Sequence, residues 1–458
     1  MVQSTIDSQL LTRRGRYAAI LRLGTPILVG QVGQIIVGFA DSAMVGHYST
    51  DALAAASFVN NIFNIALLMC LGFTYGLTPL IGALYSAARN EDIGATLHRG
   101  IRINFLFSMV ITAMMGILYL NVDKLGQPEH LLPLIRPYFL IYLGTVAAIS
   151  LFQTFAQTSY AVNASMMPMW VVLACNVVNI AGNWLLIYGN MGFPELGLTG
   201  AGISTFVSRW AAVVVIISIF LIAKRYRPYR PTALRPGRYG HRAGVIFRTS
   251  MPVSLQTGLE TASFSVAAVM AGWLGRNQLA AFQIFVTIGS LGFVIYYGMA
   301  AAMSVLVANA SSCRDAAHHM RAIAGSGYVI ILALAAVACV VFLSLGSHLI
   351  GVFTDDEAVI AMTASMMVPL AIYQLGDATQ INFANALRGT ANVMPMVWIA
   401  FFSYVIVGIP ATYIMAFVFG WGIVGIALSF SVSLFTAGAL FLYTFLRTTR
   451  HRIAEQIK

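Results

Sequence analysis

Charge is what this 458-residue chain has least of. Asp, Glu, Lys and Arg together make 9% of it, against about a quarter in a soluble domain. Apolar residues reach 59% and mean hydropathy is +0.82, which excludes an ordinary water-soluble globule. Cysteine is nearly as scarce. Cys70, Cys175, Cys313 and Cys339 show no close spacing, which argues against a disulfide framework or a thiolate metal site. The eight histidines fall in loops, tails or segment ends, so no metal centre is expected within the apolar segments and no cofactor is called for. No Gly-x-x-x-x-Gly-Lys phosphate loop occurs, so nothing points to ATP hydrolysis by this chain. No cluster of nucleophile and base stands inside an apolar run either, and the chain is not expected to be an enzyme.

What is there is a series of apolar runs, each long enough to cross about 30 Å of hydrocarbon as a helix. Twelve are expected, at about 18–44, 53–84, 101–120, 132–158, 167–189, 198–223, 248–273, 279–308, 322–346, 359–386, 394–419 and 422–446. Backbone polar groups in lipid must bond within their own segment, so the runs are helices. Lys and Arg set the orientation. With the N-terminus inside, 22 of the 26 fall on the inner side, 3 outside (Lys124, Arg136, Arg276) and one, Arg209, within a span. Both termini are therefore expected in the cytoplasm. The formal net charge of +11 is then a topology signal rather than a nucleic-acid footprint, with inner-leaflet lipid contact as its generic consequence. Residues 1–16 are polar and the first apolar run is too long for a cleavable signal, so it is expected to serve as an uncleaved insertion signal in a cytoplasmic (inner) membrane.

Of fifteen carboxylates, only Asp41, Glu260 and Asp377 fall inside long apolar segments. An ionisable group there costs several kcal/mol, roughly 2.5–3.5 on insertion scales, and marks a functional position by default.

The chain also repeats itself at an offset near 226. Arg22 matches Arg248, Pro26 matches Pro252, Met44–Gly46 matches Met270–Gly272, and Leu53-Ala54-Ala55 matches Leu279-Ala280-Ala281. Met167-Pro168-Met169 matches Met394-Pro395-Met396, and Gly197 and Gly200 match Gly422 and Gly425. Two halves of six helices are expected, 1–223 and 248–458, related by a pseudo-two-fold along the membrane normal and joined by a basic cytoplasmic linker, 224–247. Such repeats are a transporter signature, with the substrate site near the midplane.

The stretches GFADSAMVGHYSTDALAAAS (38–57), NVVNIAGNWLLIYGNMGFPELGLTGAGIST (176–205), SLQTGLETASFS (254–265) and YQLGDATQINFANALRGTANVMPM (373–396) resemble the multidrug and toxic compound extrusion (MATE) transporters, NorM-like branch. The likeness runs over nearly all twelve segments in order. It departs from the family's frequent Ala-Ala-His-Gln at the start of segment 8, where this chain has Ala280-Ala281-Phe282-Gln283. The resemblance implies a two-lobed all-α membrane protein that exports organic cations and amphiphiles in exchange for Na⁺ or H⁺. It carries the family's ion-coupling residues onto Asp41, Glu260 and Asp377, and its asparagine pair onto Asn179 and Asn183. A monomer is expected. A lipid-linked oligosaccharide flippase of the same superfamily is the alternative, though such proteins need more basic residues in the cavity than Arg209 alone.

The residues themselves leave the ion open. Asn179 and Asn183 are four apart and share a helix face, and a carboxylate with amide oxygens suits Na⁺, at Asp41, Asn179 and Asn183 or at Glu260 and Asp377. Desolvation would equally let such a carboxylate take a proton. The asparagines could instead bond between helices. Glu260 and Asp377 map by the repeat to Gln34 and Ser150, and Asp41 maps to Ala267, so a symmetric scaffold carries an asymmetric charge pattern. Arg209, inside segment 6, is expected to have a carboxylate or carbonyl partner, with a gating or structural role. Arg388, at the inner end of segment 10, suits gating or lipid anchoring. Pro26 and Gln34 complete the set, Pro26 as a bending point in segment 1.

Overall fold

The computed structural model describes residues 12–313 and 315–457. The expectations for Asp7, Arg314 and Lys458 fall outside the described residues, as do those for the side chains of Arg452 and Glu455. Among the described residues, ten helices are long and apolar enough to cross a membrane: α1 (Arg13–Tyr48), α2 (Thr50–Ser86), α3 (Asn90–Leu120), α4 (Glu129–Ala161), α5 (Met166–Tyr188), α6 (Gly197–Ile222), α8 (Arg276–Ser312), α9 (Ala316–Gly346), α11 (Met394–Val418) and α12 (Gly422–Arg450). The pair Glu357–Ser365 and Met367–Gly389, bent by 44°, adds α10. The remaining segment is helical over Ala243–Leu274, here α7. Ser254, Gln256, Thr257, Glu260, Thr261 and Ser263 fall within ten consecutive residues of it and dilute its apolar character.

Local chemistry explains several boundaries. Ser49 sits extended before α2 and its hydroxyl accepts from Ala52 N at 3.4 Å. Asp356 caps α10, accepting from Ala358 N at 2.9 Å and Val359 N at 3.3 Å, which satisfies donors the first turn leaves orphaned. Gly189 ends α5 in the left-handed region at φ +68°. Pro410 removes an amide from the middle of α11, and the helix widens to i→i+5 bonding at Phe401–Gly408 and Ile414–Val418 on either side.

The chain forms two compact units. The first comprises residues 29–85 and 89–254, and the second residues 1–28, 86–88 and 255–458. Helices α1 and α7 thus each contribute to both. The first unit is packed around two apolar clusters, one with Leu77, Ile81, Leu97, Phe155, Phe220 and Tyr226, the other with Ala55, Phe63, Phe139, Val146, Ile187 and Leu198. In the second, Phe282 and Phe285 of α8 stack on each other and extend to Phe430 of α12 and Tyr373 of α10.

The basic stretch 224–247 is folded rather than strung out. Its carbonyls at Tyr239, His241 and Gly237 accept from the Arg99 guanidinium at 2.5, 3.0 and 3.1 Å. Its amides at Gly240 and His241 donate to Asp92 Oδ1 at 2.6 Å and Thr96 Oγ1 at 3.0 Å. Asp92, Thr96 and Arg99 lie on one face of α3, so one helix start holds the stretch to the first unit.

Candidate functional site

In the first unit, helices α5 and α6 approach closely because a side chain is missing at two positions. A methyl group on Gly182 would strike Ser204 Oγ, and one on Gly200 would strike the Leu186 carbonyl. That approach sets Asn179 of α5 against α6: its Nδ2 donates to Thr205 Oγ1 at 3.3 Å and Ser208 Oγ at 3.4 Å, while Ser204 Oγ donates to the Asn179 carbonyl at 2.7 Å. One turn along α5, Asn183 Nδ2 donates to Asp41 Oδ1 of α1 at 2.5 Å. A cavity of about 340 Å³ opens here, lined by Gln34, Asp41, Asn176, Asn179, Tyr138 and Arg209 among others. Asn176 Nδ2, Asn179 Oδ1 and Asn183 Oδ1 are buried without a hydrogen-bond partner among the described residues. Unsatisfied buried polar atoms are rare and call for an explanation. Three on one face of one helix, beside a carboxylate, make this wall a place for an ion or a polar ligand.

Arg209 differs from its expected setting. Its partners are neither carboxylate nor carbonyl: Nη1 donates to Thr145 Oγ1 at 2.6 Å and Nη2 to Tyr142 OH at 3.0 Å, with the guanidinium 4.6 Å from the Tyr142 ring centre. Hydroxyl lone pairs and a π face satisfy a guanidinium without neutralising it.

The second unit gathers Glu260 and Asp377. Glu260 Oε2 accepts from Gln256 Nε2, one turn away on α7, at 3.0 Å. Asp377 is 2% exposed, and its Oδ2 lies 2.6 Å from Tyr296 OH of α8. The same hydroxyl lies 2.6 Å from Gln374 Oε1, and Gln374 Nε2 donates to the Gly289 carbonyl at 3.1 Å. That last bond fixes which end of the Gln374 amide faces Tyr296. A phenol has one hydrogen, so two short oxygen contacts need a second one. A proton on Asp377 would supply it, as Asp377 O–H to Tyr296 O–H to Gln374 Oε1. Glu260 and Asp377 lie within electrostatic reach of each other, and Arg388 within reach of Glu260. Arg388 is 7% exposed and donates to Asn385 Oδ1 at 3.1 Å. Among the described residues, none of Asp41, Glu260 and Asp377 forms an ion pair with a basic side chain.

Of the residues singled out from sequence, Asp41, Asn179, Gln34 and Arg209 line one cavity, with Asn183 bonded to Asp41 behind it. Glu260, Asp377 and Arg388 share the other unit. Pro26 lies inside α1 with no interruption of the helix, in the portion belonging to the second unit. Sequence reasoning missed Tyr138, Tyr142 and Thr145 in the first site and Tyr296 and Gln374 in the second. A buried tyrosine needs a partner for its hydroxyl, but nothing local distinguishes these from the other tyrosines, 19 in all.

An all-helical membrane protein with carboxylates in each of two units is the class this fold and site define. The MatE family description matches residues 26–185 and 252–414. The chain belongs to the MatE family. It is 26% identical over 432 residues, 94% of each chain, to the probable multidrug resistance protein NorM of Xanthomonas axonopodis pv. citri. It is 27% identical over 443 residues, 96% of this chain and 97% of the other, to that of Photorhabdus laumondii subsp. laumondii. Among solved structures, the eukaryotic MATE transporter AtDTX14 superposes with a TM-score of 0.84 at 18% identity, covering 97% of this chain and all of that one. A point mutant of the Vibrio cholerae MATE transporter VcmN does so at 0.84 and 16% identity, covering 96% and 98%. The fold is that of the MATE transporters.

Proposed function

We propose that this protein is a secondary active multidrug efflux transporter of the cytoplasmic membrane, with both termini inside, that exports organic cations and amphiphiles by antiport with Na⁺ or H⁺. The observation that carries the reading is that all three intramembrane carboxylates are held by neutral amides or hydroxyls, Asp41 by Asn183, Glu260 by Gln256 and Asp377 by Tyr296. A carboxylate committed to an arginine is already compensated. One held by neutral donors is free to take a cation and to release it, as a coupling site must. The single hydrogen of Tyr296 between two oxygens favours a proton at Asp377. The buried oxygens of Asn179 and Asn183 beside Asp41 suit Na⁺ or the ammonium of a cargo. The names of the relatives, multidrug resistance proteins, support the cargo class.

In the cycle, the outward-open form takes up the ion and releases cargo, then turns inward, gives up the ion and binds cargo again. The ion drives the change only through its different affinity for the two states. The test is uptake of a fluorescent organic cation into liposomes carrying the purified protein, under an imposed Na⁺ gradient or an imposed pH gradient, separately. Transport driven by one gradient names the coupling ion. Transport driven by neither refutes antiport.

A further inference from the structure

We propose that the cavity of the first unit is a two-pole site, in which Asp41 receives the cationic part of a cargo and Arg209 an anionic part, so that compounds carrying both charges are preferred over simple cations. The proposal rests on the efflux reading and adds a specificity residue and a substrate class to it.

A guanidinium inside an apolar span is costly to keep, and the usual compensation is a carboxylate. Arg209 has none among the described residues. Its two hydrogen bonds, to Thr145 and Tyr142, use two of five N–H donors, so its full charge and three donors remain. Asp41 opens onto the same cavity yet forms no ion pair with it. Two opposite charges thus share one cavity of about 340 Å³, the size of a small-molecule site, and each is held by neutral groups. They stop short of a salt bridge while staying within electrostatic reach of each other: Asp41 is tied to Asn183, and Arg209 to Thr145 and Tyr142. Tyr138 lines the same cavity, within electrostatic reach of both charges. A monovalent cation drawn to Asp41 is repelled by Arg209. A cargo with an amine and a carboxylate satisfies both, and the guanidinium fork matches a carboxylate in two-point geometry. Asn176, with an unbonded buried Nδ2 on the same wall, offers a further donor to an anion.

The test compares tetramethylrhodamine, which carries a fixed cation and a free carboxylate, with its methyl ester, which carries the cation alone. Binding of both is measured on the purified protein and on Arg209→Gln and Arg209→Lys. The wild type is expected to bind the free acid about tenfold or more tightly than the ester. Arg209→Gln is expected to cut that ratio by about ten- to a hundredfold, the worth of a charge-assisted hydrogen bond, while tightening the ester. Arg209→Lys should fall between, keeping charge but losing the fork. An unchanged ratio in a folded Arg209→Gln would make Arg209 a clamp between α4 and α6 and overturn the proposal. If Arg209→Gln does not fold, a wild-type ratio of one, or an unaltered ratio in Arg209→Lys, overturns it equally. Gradient-driven uptake of the ester with no preference for the acid would sink the two-pole site and leave antiport standing, whereas uptake of neither compound would sink antiport.

Discussion

Tyr296→Phe is the sharpest perturbation of the proposed ion site, because it removes one oxygen and little else. Phenylalanine keeps the ring and its packing against Phe293, but Asp377 Oδ2 and Gln374 Oε1 each lose a contact of 2.6 Å. In the loaded state the loss is that of neutral hydrogen bonds, about 1 kcal/mol each. In the empty state the ionised carboxylate of Asp377 loses its donor, and a hydrogen bond to a charged group is worth about 1.5–3 kcal/mol. The difference, up to about 1 kcal/mol, falls on the step in which Asp377 gives up its ion, so turnover is expected to slow by up to about fivefold. The assay is initial-rate uptake of a fluorescent organic cation in liposomes, with thermal unfolding of the same preparation as a control for integrity. A folded Tyr296→Phe protein that turns over at the wild-type rate would refute both the hydrogen count at Asp377 and the coupling role built on it.

Neutralising Asp377→Asn or Glu260→Gln is expected to abolish gradient-driven transport while the purified protein keeps its unfolding temperature; wild-type exchange in either folded variant would contradict the assignment. Gly182→Ala should destabilise by about 1–3 kcal/mol through the collision with Ser204, and Ser204→Gly should recover part of the loss, seen as a partial return of the unfolding temperature. Burial, with Arg89 nearby, holds His241 below the usual histidine range. The unfolded chain therefore binds the proton more readily, and the docking of 237–242 on α3 is at full strength above about pH 6.5 and weakens as pH falls below it. Amide hydrogen exchange of that segment should quicken from pH 7 to pH 5 beyond its intrinsic pH dependence, and a flat corrected rate would count against the docking.

The positions of Asp41, Glu260 and Asp377 are legible in sequence because a charge in an apolar run is anomalous by itself. The asparagine pair is picked out by the family resemblance, and its spacing of four adds only that both share one helix face. Helix ends are less so. α1 begins at Arg13 and α12 continues to Ile457, well beyond the apolar runs at 18–44 and 422–446. Apolarity reports the hydrocarbon, while the backbone stays helical past it. The stretch 224–247 reads as a linker from its Arg, Pro and Gly, yet its fold is written in α3, where Asp92, Thr96 and Arg99 capture its backbone. The partners of Arg209 were illegible because hydroxyls of distant segments satisfy a guanidinium as readily as a carboxylate does.

The duplication near offset 226 repeats positions in the sequence but not their chemistry. At the position equivalent to Asp377 stands Ser150, whose hydroxyl donates to the Asn104 carbonyl at 3.1 Å and so only joins helices. At the position equivalent to Glu260 stands Gln34, on the wall of the cavity. The carboxylate of the first unit thus faces space for a cargo, while that of Asp377 is enclosed by Tyr296 and Gln374. This difference predicts a split between two otherwise similar mutations. Asp41→Asn should weaken equilibrium binding of an organic cation to the purified protein by about tenfold or more, since an unscreened charge pair near 4 Å is worth up to about 4 kcal/mol at an effective dielectric of 20. Asp377→Asn should act first on the response to the ion gradient. Equal losses of affinity and of gradient response in both variants would mean that the two sites share one task, and the asymmetry of the charges would then have no division of labour behind it.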